Sequence, residues 1–298
     1  MCYVGEFHFE LFSIAQKFLD ALNAGIIPWR KPWGGSSARP RNAITQKPYR
    51  GVNALYLGLL ANIKGYPTGE WLTLNQCKKA GGRVQGSEWK NGTAVVFWKF
   101  MKREKMVNGQ KVEETFPLCR SFTVFNRAQC EGLPLPKETS YTNNTIETAQ
   151  RIVDGMPNAP VMNIVQSDSA HYTPSTDTVT LPLLSQFVNA ESFYATTFHE
   201  LAHATGHKSR LNRDGVMAGQ GFGSTSYSKE ELVAEMTAAF LSAECGILDQ
   251  VEQNSTAYVQ HWAARLNKEP RMIIEAAGAA QKAADYILGT TFQTDDED

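Results

Sequence analysis

Two histidines four residues apart, with a glutamate directly after the first, lie in the segment "TTFHELAHATGH" at residues 196–207. On a helix, residues four apart share one face, so His199 and His203 would direct their imidazoles at a single point. Glu200 would lie about 100° around the helix, beside the water molecule of a bound metal ion. HExxH on a helix is typical of zinc peptidases, in which the histidines bind the metal and the glutamate is the general base. The pattern therefore predicts a metal-dependent hydrolase with Glu200 as its catalytic residue.

A third protein ligand is expected further along the chain, because catalytic zinc keeps three protein ligands and one open position. The segment "SKEELVAEM", which begins at residue 228, places Glu231 and Glu235 four apart on one helix face. We assign Glu231 as the third ligand and Glu235 as the carboxylate that holds a ligand histidine in position. Ser228 and Glu231 also fit a capping box, which would turn Glu231 toward the helix N-terminus and leave Glu235 as the ligand.

The expected metal is zinc, the usual ion for two histidines and a glutamate, but manganese or another divalent ion also suits these ligands. Glu200 would take a proton from the metal-bound water and pass it to the leaving amine. Tyr172, His207 and Tyr227 are near the motif in sequence and are candidates for stabilising the transition state. The strand predicted at residues 177–182 is either an edge strand that pairs with an extended peptide or an ordinary core strand.

The net charge of −1 hides a division of the chain into a basic and an acidic half. Residues 1–135 hold 19 Lys and Arg against 9 Asp and Glu, whereas residues 136–298 hold 10 against 21. A basic half is the usual electrostatic signature of nucleic-acid binding. The five cysteines are widely spaced without a CxxC pair, and the N-terminus carries no basic cluster. We therefore expect reduced thiols in a cytoplasmic protein, with no membrane-spanning segment.

Cations alternate with aromatic rings in the basic half, which is the combination that single-stranded nucleic acid needs for its phosphates and its unstacked bases. The candidate DNA-binding residues are Trp29, Arg30, Lys31, Trp33, Arg39, Arg41, Tyr49, Arg50, Lys78, Lys79 and Arg83. Trp29 and Trp33 are flanked by Arg, Lys and Pro, and we expect both to be exposed on a loop. Trp98, within an apolar run, is expected in the core. The expected partner is single-stranded DNA.

Hydrophobic periodicity predicts an α+β protein with helices and short strands in both halves. The predicted helices cover residues 9–24, 52–65, 73–82, 145–156, 189–206, 228–246 and 255–288. The predicted strands cover residues 93–101, 121–130, 163–166 and 178–182. The segment between the first two is either a hairpin, with its turn at 108–109, or a loop. A polar stretch with prolines at 131–143 indicates a domain boundary. We predict an α+β nucleic-acid-binding domain over residues 1–135 and a mainly helical metallopeptidase domain with a small sheet over residues 136–298.

Several motifs follow one another in a fixed order along the chain. "IIPWRKPW", "RNAITQKPYRGVNALYL", "EWLTLNQCKKAGGRV" and "VFNRAQCEGLP" occupy the basic half, and "HELAHATGHKSRLNR" precedes "YSKEELVAEMTAAFL" in the acidic half. This series resembles the ArdC-type antirestriction proteins over nearly the whole chain, and its first part resembles the N-terminal region of some conjugative primases. The resemblance implies an N-terminal domain that binds single-stranded DNA and a C-terminal zincin-like peptidase domain. It also implies a plasmid-encoded protein that protects entering DNA from host restriction during conjugation.

Two functions remain open at this point, because family resemblance does not prove activity. The first is a metallopeptidase that DNA binding delivers to a protein substrate, such as a host restriction component. The second is a non-catalytic protein that binds and masks single-stranded DNA and keeps a structural or vestigial metal site. A metal-dependent nuclease is less favoured, because phosphodiester enzymes more often gather carboxylates around two metal ions.

Overall fold

Helices and short strands alternate along the chain in the computed structural model, which describes residues 3–29, 39–107, 110–134, 145–217, 225–247 and 256–290. The elements of the N-terminal half are α1 (Tyr3–Asn23), β1 (Arg41–Asn42), α2 (Gly51–Lys64), β2 (Glu70–Thr73), α3 (Leu74–Lys79), β3 (Arg83–Val84), β4 (Thr93–Val107), β5 (Gln110–Asn126) and β6 (Cys130–Glu131). Those of the C-terminal half are α4 (Thr145–Asp154), β7 (Val161–Val165), β8 (His171–Thr173), β9 (Thr178–Pro182), α5 (Ala190–Thr205), α6 (Asp214–Met217), α7 (Thr225–Cys245), α8 (Thr256–Lys268) and α9 (Arg271–Ile287). The α+β class is confirmed. Among the described helices, none has the length and apolar character needed to cross a bilayer.

The sheet of the N-terminal half has the strand order β1-β2-β5-β4. β4 and β5 form one long antiparallel hairpin, in which Thr93 pairs with Val124 at one end and Val107 pairs with Gln110 at the other. The hairpin alternative for the segment between these strands is therefore confirmed, although the strands run much further than the apolar segments that indicated them. The turn predicted at 108–109 and the side chain of Trp98 lie outside the described residues. β3 and β6 form a separate two-stranded sheet.

The helix that follows β2 begins where the sequence predicts. Thr73 caps α3, because its hydroxyl accepts from the Gln76 amide at 3.2 Å and the Gln76 side chain accepts from the Thr73 amide at 3.0 Å. This reciprocal capping box satisfies two amides that the helix itself leaves unpaired. At the other end of α3, Lys78 and Lys79 lie in the last turn and are exposed to solvent.

The sheet of the C-terminal half has the order β7-β9-β8, so β9 is its central strand. β9 pairs in parallel with β7 and antiparallel with β8. The suggestion that residues 177–182 form an edge strand is therefore wrong, because both sides of β9 are already paired. The core-strand alternative is confirmed by the full burial of Val179 and Leu181. β8 is only three residues long, and we did not predict it.

Helix α7 begins at Thr225 rather than at Ser228. Ser228 is therefore inside the helix, where it is buried, and it is not the N-cap residue. The capping-box alternative for Glu231 fails for this reason. Past α7, the predicted helical region at 255–288 divides into α8 and α9 at Pro270, whose ring cannot be accommodated in a continuous helix interior.

The two halves share one hydrophobic core. α1 packs against α8 and α2 packs against α9, so helices from both ends of the chain are joined. Trp29 meets Trp262 edge to face, with 5.6 Å between ring centroids. Arg50 pairs with Asp285, again between the halves. The boundary predicted at 135/136 lies at the edge of residues 135–144, which are outside the described part of the chain, and it stays a prediction.

Candidate functional site

Helix α5 carries the HExxH motif and is held at its start by Asn189, whose side chain accepts from the Ser192 amide at 2.8 Å. Phe198, Leu201 and Ala202 are buried with less than 2% exposure. α5 packs against α7 and α9, and α7 is the helix that carries "EELVAE". The packing of these two helices sets the separation between the motif histidines and the carboxylates of α7.

Three side chains from α5 and α7 converge on one point. The Nε2 atoms of His199 and His203 are 3.1 Å apart. Glu231 reaches toward both, with Oε2 3.6 Å from His199 Nε2 and Oε1 3.6 Å from His203 Nε2. The candidate ligand atoms all lie within 4.8 Å of one another. Two imidazole nitrogens and one carboxylate oxygen are a donor set that suits zinc and other divalent transition metals, so the residues fit the expected ion.

Carboxylates surround the two imidazoles. Burial alone would lower the pKa of His199, but a hydrogen bond with Glu231 and the charges of Glu200, Glu235 and Glu231 raise it overall. Negative charge this close to two histidines favours a bound cation. Glu200 itself is buried on α5 directly after His199.

Glu235 was predicted to hold a ligand histidine in position. Its Oε1 accepts a hydrogen bond of 2.6 Å from the Tyr258 hydroxyl on α8. Its charge also acts on His199. These contacts place Glu235 beside the cluster, and its predicted support of a histidine stays a prediction.

Glu230 is a neighbour of His203 that the sequence interpretation missed. Its Oε1 lies 3.4 Å from His203 Nδ1, on the side of the ring away from Glu231. Arg213 donates two hydrogen bonds to the same carboxylate, from Nε to Oε2 at 2.9 Å and from Nη2 to Oε1 at 2.5 Å. No pattern in the sequence marks this pair, because the two residues meet only after the chain past α5 folds back.

The charge of Glu230 is stabilised by its partners. Burial alone would raise its pKa, but hydrogen bonds with Arg213 and then His203 outweigh burial and lower it. The carboxylate is therefore ionised over the neutral range. An ionised, well-held carboxylate is a strong acceptor for an imidazole N–H.

A second buried arginine fixes the end of the motif helix. Arg210 binds both carboxylate oxygens of Asp177 at 2.8 and 2.9 Å and donates to the Ala204 carbonyl at 3.0 Å. The Tyr172 hydroxyl donates to the same carboxylate at 2.8 Å. His207 Nδ1 lies 2.8 Å from the Ser209 hydroxyl. The Tyr227 side chain lies outside the described residues, and the proposed transition-state role of these three candidates stays a prediction.

The two described aromatic candidates for DNA binding are buried. Trp29 has no exposed surface and packs on Trp262, so the expectation that it is exposed is wrong. Tyr49 is also buried. Trp29 lies where the N-terminal half meets α8, an interface that the sequence interpretation did not consider, and Tyr49 belongs to the same hydrophobic core. Neither ring can stack on a base in this arrangement.

Three arginine candidates make ion pairs inside the protein. Arg39 donates to Gln281 at 2.8 Å and lies 3.7 Å from Glu244. Arg41 lies 3.6 Å from Glu70. Arg50 pairs with Asp285. These side chains are 12%, 19% and 31% exposed and take part in tertiary contacts, and their role in DNA binding stays a prediction.

The remaining candidates divide into two groups. Lys78, Lys79 and Arg83 are exposed, and Arg83 also forms an ion pair with Glu131 at 2.6 Å. Arg30, Lys31 and Trp33 lie outside the described residues.

An exposed pair of aromatic rings on the long hairpin was not predicted. Phe97 and Phe122 are 43% and 44% exposed, and their centroids lie 5.5 Å apart in an edge-to-face arrangement. Arg120 is directly opposite Phe97 in the strand register and is exposed as well. The sequence offered the apolar run "VVFWKF" as a signal, but we interpreted only Trp98 within that run, as a core residue.

Comparison with known proteins accounts for both halves of the chain. Residues 12–125 match the N-terminal domain of anti-restriction factor ArdC, and residues 150–279 match a zincin-like metallopeptidase family. The antirestriction protein ArdC from plasmid R388 has a similar structure, with 32% identity over 92% of this chain and 95% of that one and a TM-score of 0.72. The chain belongs to the ArdC family. The predicted layout of two domains is thereby confirmed.

Other relatives extend the comparison. A second R388 ArdC structure, with Mn(II) bound, has a TM-score of 0.73 at 32% identity and covers 94% of this chain and 97% of that one. The y4eC protein of Sinorhizobium fredii is 32% identical over 92% of this chain and 90% of its own length. Two DNA primases named TraC, from Escherichia coli, are 38% and 36% identical over 92% and 93% of this chain. The chain spans only 19% and 27% of the length of those primases.

Proposed function

We propose that this ArdC-family chain is a metal-dependent peptidase joined to a unit that binds single-stranded DNA. The observation that carries the peptidase part is the convergence of His199, His203 and Glu231 on one point, with Glu200 next to the first histidine. The match of residues 150–279 to zincin-like metallopeptidases supports the same conclusion.

The proposed chemistry uses the chain's own groups in defined roles. His199, His203 and Glu231 would hold a divalent ion, which when bound lowers the pKa of a water molecule and polarises a peptide carbonyl. Glu200 would accept the proton of that water and deliver it to the leaving amine. Zinc is the ion expected for this donor set. Manganese is the second candidate, because the R388 ArdC protein has a structure with Mn(II) bound.

The proposed DNA-binding surface differs from the one that the sequence suggested. It consists of Lys78, Lys79 and Arg83 beside α3, together with Phe97, Phe122 and Arg120 on the hairpin, all of them exposed. Cations would bind phosphates and the two rings would stack on unpaired bases, which is how proteins bind single strands without reading their sequence. The similarity to primases named TraC supports nucleic acid as the partner of this half.

In the cell, we propose that the chain protects entering plasmid DNA from restriction during conjugation, with a host restriction component as the protein substrate. The test compares plasmid transfer into a restricting recipient for the wild type and for Glu200→Gln, with bound metal measured in both proteins. Loss of protection in a variant that keeps its metal is the expected result. Full protection by Glu200→Gln would remove proteolysis from the mechanism and leave the DNA-masking alternative.

A further inference from the structure

Two adjacent glutamates on α7 contact opposite sides of one imidazole. Glu231 faces Nε2 of His203, the nitrogen that also faces His199. Glu230 faces Nδ1 of the same ring at 3.4 Å. Consecutive residues on a helix point about 100° apart, which allows one to reach the ion and the other to reach behind the histidine.

The contact at Nδ1 decides which nitrogen of His203 can bind a metal. A neutral imidazole carries one N–H and one lone pair, and a carboxylate can accept only from the N–H. A proton held at Nδ1 by Glu230 leaves the lone pair on Nε2, which points to His199 and Glu231. The distance of 3.4 Å is at the long end of the hydrogen-bond range.

Arg213 fixes the position of Glu230. Besides its two bonds to the carboxylate, it donates from Nη2 to the Ala202 carbonyl at 2.7 Å and from Nη1 to the Thr205 hydroxyl at 2.6 Å. Ala202 and Thr205 belong to α5, whereas Glu230 belongs to α7. Arg213 therefore ties the helix of the motif to the helix of the third ligand. Its own backbone is held, because its amide donates to the Gly206 carbonyl at 2.9 Å.

We propose that Glu230 and Arg213 are positioning residues that hold the His203 ring with Nε2 toward the ion, and that they set the metal affinity of the site. This inference rests on the proposed metal centre. It assigns separate roles to neighbouring glutamates, with Glu231 as ligand and Glu230 as support.

The substitution Glu230→Gln tests the tautomer directly. An amide has one acceptor oxygen, and Arg213 would compete for it. The amide NH2 would then face His203 Nδ1, which would have to accept and would place the proton on Nε2. We expect the affinity for Co2+ to fall about 10- to 100-fold, the usual cost of removing such a partner. The absorption bands of bound Co2+ should also change, because they report the ligand geometry.

Three further variants of the full chain are titrated with Co2+ for comparison with Glu230→Gln. Glu275→Gln removes an exposed carboxylate that pairs with Lys229 and is neither a proposed ligand nor a proposed support, so it should leave Co2+ affinity and bands unchanged. Arg213→Lys keeps a positive charge but loses the double hydrogen bond, so its affinity should lie between those of the wild type and Glu230→Gln. Glu231→Gln should abolish binding. Circular dichroism and thermal unfolding of the metal-free proteins identify any variant that fails to fold.

The outcomes separate this inference from the metal centre itself. Wild-type affinity and wild-type bands in Glu230→Gln, with binding lost in Glu231→Gln, would overturn the inference and leave the centre intact. If Glu230→Gln does not fold, wild-type affinity and bands in Arg213→Lys would overturn it equally. A wild-type protein that binds no Co2+ would overturn both.

Discussion

Charged residues have different uses in the two halves of the molecule. In the C-terminal half, Glu230 and Glu231 gather around imidazoles on two packed helices, where paired ionic groups make a site that suits a cation. In the N-terminal half, Arg39 and Arg50 form contacts with Gln281 and Asp285 on α9. The comparison teaches that the net charge of a segment does not locate its binding surface, because part of that charge holds the two halves together.

The largest effect should come from the base of the proposed reaction. Glu200→Gln keeps the size of the side chain but removes the proton acceptor, so peptide hydrolysis should fall about 10²- to 10⁴-fold. Metal content should stay at the wild-type level, because Glu200 is not a ligand. The measurement is cleavage of fluorescent casein by the metal-loaded protein. Hydrolysis at the wild-type rate in the variant would contradict the role of Glu200.

Because the Trp29 side chain is buried, we expect its truncation to destabilise the protein. Trp29→Ala should lower the free energy of unfolding by about 3–5 kcal/mol, the usual cost of deleting a large buried ring. Thermal or denaturant unfolding measures this change. If the variant unfolds like the wild type but binds single-stranded DNA more weakly, Trp29 is a DNA contact and its burial is not the functional state.

The exposed ring on the hairpin should behave in the opposite way. Phe97→Ala should weaken binding of a single-stranded oligonucleotide by about 1–3 kcal/mol, the cost of losing one stacked base. Its effect on unfolding should be small, since the ring is 43% exposed. Fluorescence anisotropy gives the affinity, and Phe12→Ala, another exposed ring, is the matched control. Equal affinities of Phe97→Ala and the control would remove the hairpin rings from the proposed surface.

The cations of α3 should have the smallest effect, seen best in the salt dependence. Lys78→Ala with Lys79→Ala should reduce the slope of log affinity against log salt by about 0.7 for each phosphate that the two lysines neutralise. Lys282→Ala on α9, equally exposed, serves as the control. An unchanged slope in the double variant would mean that other cations bind the phosphates.

The parts of the site that follow a local pattern were predictable from the sequence. The spacing of His199 and His203 on one helix fixes their convergence, and the spacing in α7 indicated Glu231. Glu230 and Arg213 could not be found in this way, because their contact depends on a turn after α5. Trp29 was misplaced for a related reason. Its flanking cations and prolines suggest a loop, whereas its burial comes from Trp262, far along the chain.

The fold shows the same limit. Hydrophobic periodicity and capping residues located most of the helices, including the start of α3 at Thr73, and four of the nine described strands, β4, β5, β7 and β9. The position of β9 between its neighbours, and the packing of α1 and α2 on α8 and α9, depend on contacts between distant segments. Contacts between distant segments produce no periodic pattern of hydrophobic residues, so the sequence alone did not indicate them.

The central claim is that His199, His203 and Glu231 form a metal centre, and metal content tests it most directly. The measurement compares the purified wild type with His203→Ala, Glu231→Ala and the control Glu275→Ala. We predict about one divalent ion per chain in the wild type and in the control, as for a site with three protein ligands. The ion should be absent from both ligand variants. A wild type without metal, or a Glu231→Ala variant that keeps a full equivalent, would contradict the account.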